Sequence, residues 1–481
     1  MRSTPLLPLL LLWLGGATPP SPDSAVTQRI EARLAEAGSG IRFGIVVADA
    51  SDGRELVAIA PEGRFVPASS TKMFTAAAAF AALPGLDQPD QNGGAAVRLE
   101  ARGGEAPDVV LEGHGDARLS SAADCRVDCL AALADAVAAK TRVVHDVIGD
   151  DREFSDERWS PGMSWNNMAT RSGTAVSALT LDDNEVAMSV APGVAGQPAR
   201  VALPDYFTLD NRTVTAASGP AALNFERLPG SRIVRLTGNV AAGAKPDVLR
   251  LGLDDPADYA AWRLRALLQA RGVQVTGAVA VRHRPPAPPG DPAAKPAVAA
   301  APPLARLVPP PLAEDLRLTL KVSQNLHAEL LLRRLGRQAG SGSIADGLAV
   351  VKAMLAKAGL ARAEYDFADG SGMSSYDRVA PRGAVTLLRW AAAQPWGAAW
   401  RDSLPAAGVD GTLAKRFRGT PLAGRLSAKT GTLNASFALA GYMIGASGRQ
   451  LVFAAFAGDV PEGAEAVEAI DSALLLAAAA N

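Results

Sequence analysis

Histidine and cysteine are scarce in this chain, at four and two residues among 481. His114, His145, His283 and His327 are scattered without ligand spacing, so the sequence offers no metal centre and calls for no cofactor. Neither sign of charge is in excess, with 48 Lys plus Arg against 49 Asp plus Glu. That balance, with no basic run, argues against a nucleic-acid partner. Beyond the first residues no stretch is apolar over the length a bilayer demands, which limits membrane contact to the peripheral kind at most. Cys125 and Cys129 stand four apart. They form either a small local disulfide in an oxidising compartment or a pair of thiols at a helix start, and the spacing alone leaves both open.

What is present begins with a leader. MRSTPLLPLLLLWLGGA carries Arg2, an apolar stretch from Leu6 to Leu14, and small residues at Gly15 and Ala17. It reads as a secretory signal peptide over residues 1–17, and hence as an exported, periplasmic protein. Roughly 460 residues remain, enough for two or more domains.

The mature chain reads as a helix near Thr27 to Ala37, the strands IRFGIVVADA and ELVAIA, and an alanine-rich helix after Pro67. From about 90 to 275 short segments such as RIVRLTGNV alternate with turns. A helix near 257 to 273 is expected to return to the first domain. Residues 284–312 are rich in Pro and Ala and should form an extended connection rather than a packed element. An amphipathic closing helix runs from Ala464 to Ala480.

Three short polar patterns carry the chemistry. Ser69-Ser70-Thr71-Lys72 opens the alanine-rich helix, and three residues of helix put the Lys72 amine on the same face as the Ser69 hydroxyl. A serine hydroxyl needs a neighbouring base, and a lysine serves only when its ammonium form is disfavoured. Burial, the second lysine Lys429 and a helix dipole would each press its pKa down. Ser323-Gln324-Asn325 interrupts a long amphipathic pattern; Lys429-Thr430-Gly431-Thr432 sits in a strand–turn–strand pattern, where Gly431 would admit a substrate backbone to an edge strand. Each pattern alone also fits a structural use: a capping serine, a helix break, a lysine guarding an edge.

In this order the three patterns resemble the signature set of penicillin-binding proteins and serine β-lactamases. The gap from Ser69 to Ser323, far wider than that from Ser323 to Lys429, must hold an inserted structure. That insertion resembles the D-alanyl-D-alanine carboxypeptidase/endopeptidase family, the class C low-molecular-mass penicillin-binding proteins. Further segments run in family order, among them Gly115-Asp116, Ser164-Trp165-Asn166-Asn167, Asp369-Gly370-Ser371-Gly372 and Gly408-Val409-Asp410-Gly411. Gln324, His327, Ser375 and Asp377 depart from the family's usual residues.

The resemblance implies an α+β fold: a transpeptidase-like domain from 25–90 and 275–481, with an antiparallel sheet flanked by helices, and a large mostly-β insertion over 90–275, forming two small modules. It implies peptidoglycan stem peptides as substrates and β-lactams as covalent inhibitors. Catalytic roles fall to Ser69 as nucleophile, Lys72 as base and Ser323 as proton relay. Asn325, Lys429, Thr430 and Thr432 would hold the substrate, the last with its backbone N–H in the oxyanion hole. Asp150 and Asp151 invite a further expectation, an acidic contact for the amine of a diaminopimelate side chain, set against a turn-capping pair. A serine β-lactamase or esterase, or a non-catalytic wall-binding protein, are the competing readings.

Overall fold

The computed structural model describes residues 24–286 and 302–481. The expected leader, and residues 287–301 of the Pro/Ala-rich connection, lie outside the described residues. A five-stranded antiparallel sheet joins the two ends of the chain, in the order Leu426–Leu433, Ser436–Ile444, Gln450–Gly458, Arg42–Asp49, Glu55–Ile59. Its central strands are apolar on both faces: Ile45 and Val47 enter one core, Val46 and Ala48 the other, as the two-residue pleat requires. Both faces therefore need cover. Helices Ser24–Ala35 and Ala466–Ala480 supply one side through Ile30, Ile470 and Leu474. Helices Thr71–Ala82 and Pro381–Ala392 supply the other through Met73, Phe74, Leu387 and Leu388.

The strand Leu426–Leu433 is an edge, and the turn Ala68–Ser70 packs against it. Gly431 makes this approach possible, because a Cβ there would lie 2.3 Å from the Pro67 carbonyl oxygen.

The inserted region is built on a second, mixed sheet ordered Val279–Arg284, Val147–Ser155, Glu105–Glu112, Ala96–Arg102, Ala305–Arg306. Two three-stranded sheets share its core, one around Ile233–Ala241 and one around Glu185–Ala191. The region also carries two helices, Leu130–Lys140 and Pro256–Ala270.

Two expectations are corrected here. The helix Pro256–Ala270 does not return to the first domain: Ala260, Leu264 and Leu268 are buried with Leu111 and Val147 of the inserted sheet, which accepts its apolar stripe. The chain also stays in that sheet beyond 275. Val279–Arg284 runs parallel to Val147–Ser155, and Ala305–Arg306, inside the stretch expected to be unpacked, pairs with Ala96 and Val97. The inserted layer thus ends after Arg306. Cys125 and Cys129 are joined as a disulfide, their Cα atoms 5.8 Å apart. Among the described residues no helix is long and apolar enough to cross a membrane.

Candidate active site

Ser69 lies in the short turn Ala68–Ser70 that feeds the helix Thr71–Ala82. Ala68 adopts a left-handed conformation, φ 47°, a sparsely used region for a residue with a Cβ. Gly372 backs the turn closely: a Cβ there would meet the Ala68 oxygen at 1.8 Å. One helical turn after Ser69, Lys72 Nζ lies 2.9 Å from the Ser69 Oγ. The amine donates to two further oxygens, Asn325 Oδ1 at 2.6 Å and the Ser371 carbonyl at 2.6 Å. Asn325 Nδ2 in turn donates to the Ser172 carbonyl at 2.8 Å, which fixes which end of the amide faces Lys72. With two N–H groups committed, the remaining tetrahedral position of Lys72 Nζ is aimed at Ser69. In the neutral amine that position is a lone pair.

Ser323 sits at the break between helices Leu312–Lys321 and Asn325–Ala339, with φ 64°. Gln324 caps the second helix, its side chain accepting from the Leu326 N–H at 3.1 Å. Lys429 Nζ donates to Ser323 Oγ at 2.9 Å and to its neighbour's carbonyl, Thr430 O, at 2.8 Å. Thr430 Oγ1 is 2.8 Å from Thr412 Oγ1. Thr432, two residues along the same strand, is exposed.

Both lysines are fully buried. Burial presses Lys72 down to about 8, while Asp369, Glu329 and Asp377 pull it back up. Lys429 is held well below the ordinary lysine value by burial and then by the charge of Lys72. The anions thus sit on the Lys72 side. No anion is among the groups acting on Lys429, whose shift comes from burial and the Lys72 charge.

The anionic cluster behind Lys72 escaped the sequence reading. Glu329 accepts from the Gly370 and Ser371 N–H groups at 3.0 and 2.9 Å. Asp369 accepts from the Gly372 and Ser374 N–H groups, each at 2.7 Å. Asp377 accepts from Thr71 Oγ1 at 2.9 Å. Asp377 had stood out only as a departure from a family pattern, and Glu329 looks in sequence like any carboxylate on an amphipathic helix.

Asp150 and Asp151 are buried and paired within the protein. Asp150 pairs with Arg152, as close as 2.5 Å, and Asp151 accepts from Ser177 Oγ at 2.8 Å and lies 2.9 Å from His283 Nδ1. Both lie on the strand Val147–Ser155, and these protein partners favour the structural use of the pair over the expected contact with a substrate amine. Asp108, His145 and Asp146 do come within 4.8 Å of one another, against the reading of the histidines as isolated. Arg102 lies 3.3 Å from Asp108 and 3.7 Å from Asp146, and that ion network already satisfies the carboxylates. A cavity of about 790 Å³, walled by Arg118, Asp183, Arg317, Lys321 and Asp410, is lined by none of Ser69, Lys72, Ser323, Asn325 and Lys429. His327 bridges to it, with Nε2 2.9 Å from Asp183 Oδ1.

A serine at a helix-opening turn, a lysine one turn on and a second lysine on the adjoining sheet edge define a serine acyl-transfer site without histidine. The model of the D-Ala-D-Ala carboxypeptidase 3 (S13) family matches residues 26–480, and the chain belongs to that family. It is 35% identical over 468 residues to the D-alanyl-D-alanine carboxypeptidase of Actinomadura sp. (strain R39), covering 92% of this chain and 84% of that protein. It is 26% identical to the D-alanyl-D-alanine carboxypeptidase DacB of Haemophilus influenzae, over 65% of this chain and 64% of that one. The fold matches the crystal structure of penicillin binding protein 4 (dacB) from Haemophilus influenzae, with a TM-score of 0.79 at 22% identity, over 92% of this chain and 98% of that one.

Proposed function

We propose that this chain is an exported serine D-Ala-D-Ala carboxypeptidase/endopeptidase that acts on peptidoglycan stem peptides and is acylated by β-lactams. The observation that carries the reading is the placement of Lys72, with two N–H groups held by Asn325 and Ser371 and the third position directed at Ser69. The leader supports export to the periplasm, where the substrate is. Residues 25–90 and those after 306 form the catalytic domain, and the sheets between them the insertion.

Neutral Lys72 takes the Ser69 proton as Ser69 Oγ attacks the carbonyl of the penultimate D-alanine. The N–H groups of Ser69 and Thr432 hold the resulting oxyanion. As the C–N bond breaks, Ser323 relays the proton held by Lys72 to the departing D-alanine amine, which leaves Lys72 neutral again for the second half of the reaction. Water then attacks the acyl ester and returns the proton to Ser69. The terminal carboxylate of the substrate supplies the anion that Lys429 lacks, so binding draws a proton onto Lys429, and Thr430 donates to the same group. Asn325 positions the substrate amide.

Replacement of Ser69 by Ala should abolish covalent labelling by a fluorescent penicillin and D-alanine release from a pentapeptide. Persistent labelling would remove Ser69 as the nucleophile. Rapid nitrocefin turnover in place of a lasting adduct would assign a β-lactamase instead.

A further inference from the structure

Glu329 stands one turn after Asn325 on the helix Asn325–Ala339, so the two side chains share a face. It is buried, 7% exposed, and touches neither Ser69 nor the open cavity. Its Oε1 accepts from the Gly370 and Ser371 N–H groups, and the Ser371 carbonyl is one of the two acceptors on Lys72. One helix therefore governs both: Asn325 touches the amine directly, and Glu329 sets the peptide whose oxygen does.

Its second oxygen, Oε2, is buried without a hydrogen-bond partner. A carboxyl left half-satisfied in the interior costs free energy, and a glutamine would make the same two contacts without the charge. The charge itself therefore has a use. The charged groups around Lys72 and Glu329 come from every neighbouring element: Asp369 and Asp377 from the loop, Arg333 from the same helix and Lys429 from the edge strand. Burial and Asp369 push the Glu329 carboxyl up to about 6, so it is ionised at neutral pH and its charge lies on the side of the Lys72 ammonium.

We propose that Glu329 is a positioning residue for the amine base: it holds the Ser371 carbonyl on Lys72, and its buried charge governs how firmly Lys72 keeps a proton. This rests on the reading of Lys72 as the base for Ser69.

The test is the pH profile of Ser69 acylation by a fluorescent penicillin, measured on the full chain. Glu329→Gln preserves an acceptor for both N–H groups and removes the charge. Its midpoint should fall below that of the wild type by about half to one pH unit, whereas a merely structural staple would change the rate and leave the midpoint in place. Glu329→Asp keeps the charge and shortens the reach. It should acylate at least fivefold more slowly with a midpoint like the wild type, and it carries the test if Glu329→Gln does not fold. A Glu329→Gln profile superimposable on the wild type overturns the electrostatic role, and a Glu329→Asp rate equal to the wild type overturns the positioning role. Absence of any Ser69 adduct in the wild type would instead bring down the functional reading, and this inference with it.

Discussion

Lys72 Nζ lies 2.6 Å from Asn325 Oδ1, and the amide is locked in that orientation from the far side by the Ser172 carbonyl, 2.8 Å from Nδ2. Ser172 belongs to the inserted region, so the insertion reaches the base through the Asn325 side chain. Asn325→Asp should therefore do more than disturb packing. A carboxylate beside Lys72 favours the ammonium, and a carboxylate cannot donate to Ser172. Acylation at neutral pH should fall by at least tenfold and its midpoint should rise. Stopped-flow acylation across pH checks this, and an unmoved midpoint counts against the contact as a determinant of Lys72 protonation.

The wild-type profile follows from the same amine. Lys72 is pressed down to about 8 by burial, and only its neutral form accepts the Ser69 proton. Acylation should rise about tenfold per pH unit below that value and level off above it. For stability the sign is separate: the folded value lies below that of the free side chain, so the unfolded chain binds more protons between about 8 and 10.5. Across that window the Lys72 contribution makes the fold gain stability as pH rises, and below it the cost of burying the amine is constant. A flat acylation profile between pH 6 and 9 would contradict Lys72 as the base.

Lys429 should gain a proton when a carboxylate binds, since its present partners, Ser323 Oγ and Thr430 O, are both neutral and burial holds its value well below the ordinary one. Calorimetric titration of the Ser69→Ala variant with a D-Ala-D-Ala peptide, in two buffers of different ionisation enthalpy near pH 7.5, measures this. Uptake of up to one proton is expected. Heats independent of the buffer would show that Lys429 is already charged before the ligand arrives.

Gly431→Ala tests the seam between the edge strand and the Ser69 turn. The added methyl would lie 2.3 Å from the Pro67 oxygen and 3.2 Å from the Ser70 nitrogen. Both are backbone atoms of the turn and neither can swing aside. The strand must back away, at a cost of about 1–3 kcal/mol, and Lys429 moves with it. Acylation should drop by at least tenfold together with a lower Tm; a variant with wild-type rate would mean that the seam has slack.

Much of this site was legible because its chemistry is written in side chains at short spacing. Ser69 and Lys72 are placed by one helical turn, and Lys429 and Gly431 by the alternation of one strand. What stayed hidden is the support. The Ser371 and Ser172 carbonyls leave no mark in a sequence, since every residue has one. Glu329 could be recognised only once the loop after Asp369 was seen folded over its helix. The inserted region was legible as strand-rich but not as a topology, because Val147–Ser155 finds parallel partners more than thirty residues before it and more than a hundred after it, and periodicity says nothing about partners. The destination of the helix Pro256–Ala270 was hidden for the same reason. Its apolar face would have suited either core.

His283 gives the inserted region a pH dependence of its own. It lies on the strand Val279–Arg284, with Nδ1 2.9 Å from Asp151 Oδ1 and Nε2 3.2 Å from Asp255 Oδ2. The Asp151 contact first, and the Asp255 contact second, raise the imidazole to about 10 from an ordinary 6.5. A histidine raised in this way stabilises the fold fully below about 6.5, and the contribution drains away as pH rises from there through about 10. The side chain is partly open to solvent, which screens the pair and reduces its worth. His283→Gln keeps the polarity and removes the charge. The Tm of the wild type should exceed that of the variant at pH 6, and the difference should shrink steadily up to pH 10. A difference that grew with pH, or never changed, would show that Asp151 and Asp255 hold a neutral imidazole.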